Sequence, residues 1–64
     1  MYVIFTKKGG WVFYICQNEE KGYFVSSDAP DCDVLKIDDY ELANSIADNY
    51  SNDGVKYEVK KVEV

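Results

Sequence analysis

The chain has 64 residues, with 12 Asp and Glu against seven Lys, and a net charge of −5 at neutral pH. One domain of that length buries only about 60% of its unfolded surface, so a second core is excluded, while 47% apolar residues argue against disorder. The absence of His and Arg removes the commonest general base and metal ligand and the best fork for phosphate.

Tyr2-Val3-Ile4-Phe5-Thr6 is β-branched and aromatic, the composition of a strand. Lys7-Lys8-Gly9-Gly10 reads as a turn, because glycine accepts positive φ. Trp11 to Gln17 is a second strand, apolar at nearly every position, so that both its sides are covered or it sits centrally. Asn18 to Gly22 is a polar turn, and Tyr23 to Ser27 a third strand, completing an antiparallel meander. Asp28 to Ile37 reads as a linking loop that holds the single proline, Pro30.

The strongest local signal follows. Asp38 suits an N-cap with Glu41 as its capping-box partner, and Ile37 with Leu42 forms a hydrophobic staple. Leu42, Ala43, Ile46, Ala47 and Tyr50 make an apolar stripe at helical spacing. Asn52-Asp53-Gly54 ends the helix, with Gly54 near the left-handed position. Val55 to Val59 alternates as a strand with one wet face, and its lysines suit a sheet edge. The phase breaks at Lys60-Lys61, so a bulge or a fraying end is expected before Val62-Glu63-Val64.

The order β-β-β-α-β predicts an α+β two-layer fold over residues 1–64: a four-stranded, mostly antiparallel sheet with one helix on one face. A right-handed crossover would place the last strand beside and parallel to the first, giving the order 3-2-1-4. Pairing Thr6 with Trp11 and Gln17 with Gly22 puts Tyr2, Ile4, Trp11, Phe13, Ile15 and Phe24 on one face. The other then carries Val3, Phe5, Val12, Tyr14, Cys16, Tyr23 and Val25. A helix of about twelve residues spans roughly 18 Å and covers one face only. The bulkier Trp11/Phe13/Phe24 face is the expected one. The second face is left as an association surface centred on Val3, Phe5, Tyr14, Tyr23 and Val25, unless the Asp28–Ile37 loop folds over it.

The charge is uneven. Between Asp28 and Asp53 there are eight acids and only Lys36. Asp28, Asp31, Asp33, Asp39, Glu41 and Asp48 form a candidate acidic patch, which repels nucleic acid and suits either solubility or a basic partner surface. Asp28-x-x-Asp31-x-Asp33 lacks the spacing and glycine of a calcium loop, and Asn49-x-Ser51-x-Asp53-Gly54 has Lys60 at its twelfth position. Cys16 lies in an apolar run, and Cys32 stands between two carboxylates that make it a poor nucleophile. Without His, no Ser-His or Cys-His pair exists. No catalytic, metal or cofactor residue is expected, no small-molecule substrate is evident, and no apolar run is long enough for a transmembrane helix. The start of the chain lacks an apolar leader, so a cytoplasmic location is the expectation.

From Val34 to Val64, VLKIDDYELANSIADNY…VKYEVKKVEV resembles a recurring ending of small phage and prophage proteins: a short strand, a capped helix with paired alanines such as Ala43 and Ala47, and a charged last strand. VIFTKKGGWVFYI is similar to their opening hairpin. The length and late helix–strand order also resemble the small T7-type phage inhibitor of host RNA polymerase, although no motif matches it residue by residue and no functional residue is carried over. The resemblance and the two apolar faces together imply a non-enzymatic protein-binding module, engaging another protein or a second copy. The alternatives are an acidic inhibitor or nucleic-acid mimic docking on a basic protein surface, and a small structural domain without a partner.

Overall fold

Two turns set the sheet. In the computed structural model, which describes residues 1–63, β1 (Tyr2–Lys8) and β2 (Trp11–Asn18) are joined by Gly9 and Gly10 alone, at φ 60° and 84°. Two successive residues at positive φ make the tight hairpin turn whose twist matches that of its strands. The strand therefore runs through both lysines, and Phe5 faces Tyr14 rather than Val12. This slip of two residues leaves the faces of β1 and β2 as expected.

The second turn behaves differently. Asn18 pairs with Gly22, closing a three-residue loop in which Gly22 takes φ 69° and the Asn18 carboxamide oxygen accepts the Lys21 N–H at 2.7 Å. In β3 (Gly22–Ser26), Phe24 consequently faces Cys16, and Val25 faces Ile15. The slip here is one residue, and an odd slip moves every side chain of a strand to the other face. Phe24 thus joins the face of Val3, Phe5 and Tyr14, while Tyr23 and Val25 leave it. The expected grouping of Tyr23 and Val25 with Tyr14 is corrected by that register.

Helix α1 (Tyr40–Tyr50) starts one residue later than the sequence suggests: Asp39 is its N-cap, and its carboxylate accepts from the N–H groups of Glu41 and Leu42. The expected box between Asp38 and Glu41 is not used, and Leu42 is 52% exposed rather than stapled. Ala43 and Ala47 seat the helix on Ile4 and Ile15, with Ile46, Tyr50 and Val59 around them. Small residues at the contact let the helix axis approach the sheet closely. The helix packs over β1 and β4 (Glu58–Lys61), so it covers the Ile4/Ile15 face but not its β3 side. Trp11, expected beneath the helix, is 66% exposed.

The sheet order is β3-β2-β1-β4, as expected, but β4 runs antiparallel to β1. The reason lies in the loop after β3. It crosses back along the sheet to the Tyr2 end, where Ile37 exchanges two backbone hydrogen bonds with Tyr2, at 2.7 and 2.9 Å. The return is therefore made before the helix, not by it. The helix then retraces the direction of β1, and β4 comes back against both. β1–β2 pairing stops at Phe5 and Tyr14, and Val34–Ile37 dips into the gap beyond: Leu35 N–H donates to Ile15 O, and Val34 bridges Cys16.

Gly54 does not take positive φ; the turn after the helix is closed by the Asn52 side chain, which accepts from the N–H groups of Gly54 and Val55. Thr6 Oγ1 donates to Lys56 O at 2.7 Å, and Tyr57 N–H donates to Ser51 Oγ at 3.0 Å. These backbone groups are held by side chains, so β4 begins at Glu58 rather than Val55. Its register continues without a bulge, Val62 N–H donating to Met1 O. Val64 of the expected terminal piece lies outside the described residues. No helix among the described residues is long and apolar enough to cross a membrane.

Candidate functional site

The face away from the helix carries Val3, Phe5, Val12, Tyr14, Cys16 and Phe24. A bare face of that composition would be costly in water, at about 25 cal/mol per Å² of apolar surface. The return loop covers part of it. Val3 is 3% exposed and Cys16 fully buried, whereas Phe5, Val12, Tyr14 and Phe24 are half-buried. The Phe5 and Tyr14 rings lie 6.3 Å apart, and the Lys21 ammonium sits 5.3 Å from the Phe24 ring centre.

Between the sheet and the loop the cover is incomplete. A groove of about 370 Å³ remains, and Val3 and Tyr14 supply its sheet side. Ala29 and Val34 of the loop and Val62 beyond β4 add apolar walls. Ser26, Ser27, Asp31, Lys36 and Glu63 supply its polar margin. The loop's residues divide between the two faces. Leu35 and Ile37 pack into the helix-side core, while Val34 and Lys36 line the groove. One short segment thus seals one face and shapes the other.

Pro30 opens a single 3-10 turn at Asp31–Asp33, closed by Asp33 N–H donating to Pro30 O at 2.9 Å. The turn is tied to its neighbours by polar contacts. Lys36 Nζ donates to Asp31 O at 2.9 Å and lies 3.5 Å from the Asp31 carboxylate. Asn18 Nδ2 donates to Asp33 at 3.2 Å, and Ser26 Oγ donates to Asp28 at 2.8 Å. Burial pushes the Cys16 thiol above its ordinary range, the Asp33 carboxylate adds to the shift, and a backbone hydrogen bond from Ser26 works against it. Cys32 is exposed.

Of the expected association residues, Val3 and Tyr14 line the groove, and Phe5 packs beside Tyr14 on the same face. Tyr23 and Val25 lie on the helix side of the sheet, 57% and 39% exposed. Of the six acids, Asp31 lines the groove and Asp28 and Asp33 belong to the same loop, while Asp39 caps, and Glu41 and Asp48 belong to, the helix that packs on the other sheet face. Among the described residues no three His, Cys, Asp or Glu side chains come together to hold a metal ion. Sequence reasoning missed Ser26, Val34 and Val62 as groove residues. The apolar Val34-Leu35 and Ile37 around Lys36 were the available signal, because such a run in a loop must be packed somewhere.

Comparison of the chain with models of known protein families, with characterised proteins and with solved structures gives no match.

Proposed function

We propose that the protein is a non-enzymatic protein-binding module, of the small phage or mobile-element type that its sequence resembles, and that it docks through the groove on the second sheet face. The observation that carries this reading is the groove itself. Its apolar walls come from β1, β2, the return loop and the segment after β4, and they leave the half-buried Tyr14 ring at an opening of about 370 Å³. Apolar concavities with a few polar groups at the margin are the usual form of a binding site. The chemistry of the lining suits binding rather than catalysis. It holds no Cys or His, and its lysine is engaged with Asp31.

The reading as an acidic mimic needs one continuous negative surface. The division of the acids between the loop and the helix weighs against it, as does the use of Asp39 as a helix cap.

The test uses the two faces as each other's control. The chain, Tyr14→Asp and Val25→Asp are immobilised separately and exposed to cell lysate, after circular dichroism has verified that each is folded. The reading expects the same protein to be retained by the parent and by Val25→Asp and lost with Tyr14→Asp. Loss with Val25→Asp and retention with Tyr14→Asp would move the docking surface to the helix side.

A further inference from the structure

Resting on that reading, we infer that the groove takes an apolar side chain carried within a lysine- or arginine-rich segment of another protein. Three observations lead to this partner chemistry. The first is size: about 370 Å³ lies at the low end of binding pockets, enough for an anchoring side chain and not for a folded element. The second is the lining at the base of the groove, where Val3, Tyr14, Val34 and Val62 offer no charge to an incoming group.

The third is the charge at the margin. Asp31 lines the loop side, Asp28 lies between the lining residues Ser27 and Ala29 and accepts from the lining Ser26, and Lys36 lines the same region with its ammonium 3.5 Å from the Asp31 carboxylate. Lys36–Asp31 is the one ion pair among the described residues, so Asp28 has no lysine at pairing distance. The β4 side is balanced, with Glu63 at the groove and Lys60 across from Val3. The surplus of negative charge therefore lies over the loop side, and the partner's positive charges belong there. Complementary charge around an apolar anchor speeds encounter and selects partners. A second copy of this chain fits poorly, because its net charge is also −5 and two acidic margins would meet.

The experiment is a selection of randomised displayed peptides on the immobilised full chain, followed by titration of the enriched peptides into isotopically labelled protein. Enriched sequences are expected to place an apolar residue among lysines or arginines and to shift the signals of Val3, Tyr14, Val34 and Val62. Replacing the apolar residue by serine should weaken binding about tenfold or more. Asp28→Asn with Asp31→Asn should weaken it roughly three- to tenfold and flatten its salt dependence, since exposed ion pairs are individually weak and screened by salt. Neutral or acidic peptides bound at the same four residues would overturn the partner chemistry while leaving the docking reading intact. Peptides that shift Trp11, Tyr23 and Val25 instead, or no enrichment at all, would overturn both, and self-association through the groove in a concentration series would replace the basic segment by a second copy.

Discussion

The two faces of this sheet are closed by different means. On one, a helix seated through Ala43 and Ala47 buries Ile4 and Ile15 completely. On the other, a loop pinned by backbone hydrogen bonds and short polar contacts buries Val3 and Cys16 but leaves Phe5, Tyr14 and Phe24 half-covered. A helix presents a continuous stripe of side chains and excludes water along its length. A loop must keep its own polar groups satisfied, so it stands off from the sheet and leaves a groove. The weaker closure is the one that leaves an open groove, and the proposed docking rests on it.

The largest test of this contrast is deletion at the two surfaces. Ile15→Ala should cost about 2–5 kcal/mol in urea melts, because a fully buried side chain leaves a cavity against the helix. Phe5→Ala, on the half-covered face, should cost distinctly less. Equal losses would mean that the second face is as tightly packed as the first.

A second prediction concerns the turn that assigns the faces of β3. Gly22→Ala should destabilise by about 1 kcal/mol or more, since φ 69° is strained for any residue with a Cβ. Gly54→Ala, without that φ, should not show this penalty. If both substitutions behave alike in thermal melts, the three-residue turn and the register that follows from it are wrong.

These two glycines also show what was legible in the sequence. Composition and spacing were enough for the element order, the charged edge strand and the buried Cys16; the sheet order was expected from a parallel crossover that the fold does not contain. They were not enough for the side chains of β3, because Tyr23, Phe24 and Val25 are all apolar and carry no alternation. In such a strand the register rests wholly on loop length, and a three-residue turn in place of a four-residue one exchanges the faces. The direction of β4 was hidden for a related reason. It depends on which segment makes the return across the sheet, and the bonds of Ile37 to Tyr2 that fix this are long-range. The groove, built from the same return loop, was out of reach on the same account, although Val3 and Tyr14 do share the face away from the helix, as the expected pairing placed them.

The helix start gives a sharper and smaller test. Asp39→Ala should cost about 1 kcal/mol through the lost cap, and Asp38→Ala should change stability by less than about 0.5 kcal/mol. The reverse order in urea melts would return the cap to Asp38 and shift the helix stripe relative to the sheet.

The cysteines report the cover of the second face with the least perturbation. Cys32 should react rapidly with a thiol reagent, and Cys16 only as fast as the loop opens. The folded state raises the Cys16 thiol above its unfolded value, so the stability associated with its neutral form is complete below the ordinary thiol range and is lost as pH rises through the folded value. In Cys16→Ala that alkaline loss should shrink, which pH-dependent urea melts would measure. Equal reactivity of the two thiols would show that the loop does not close over β2.

The most direct measurement is a footprint of the retained partner protein on the labelled chain, read residue by residue from ring and methyl signals. Shifts and protection concentrated on Val3, Tyr14, Val34 and Val62, with Trp11, Tyr23 and Val25 unchanged, are the predicted result. A footprint on Trp11, Tyr23 and Val25, with the groove residues unchanged, would contradict the docking reading.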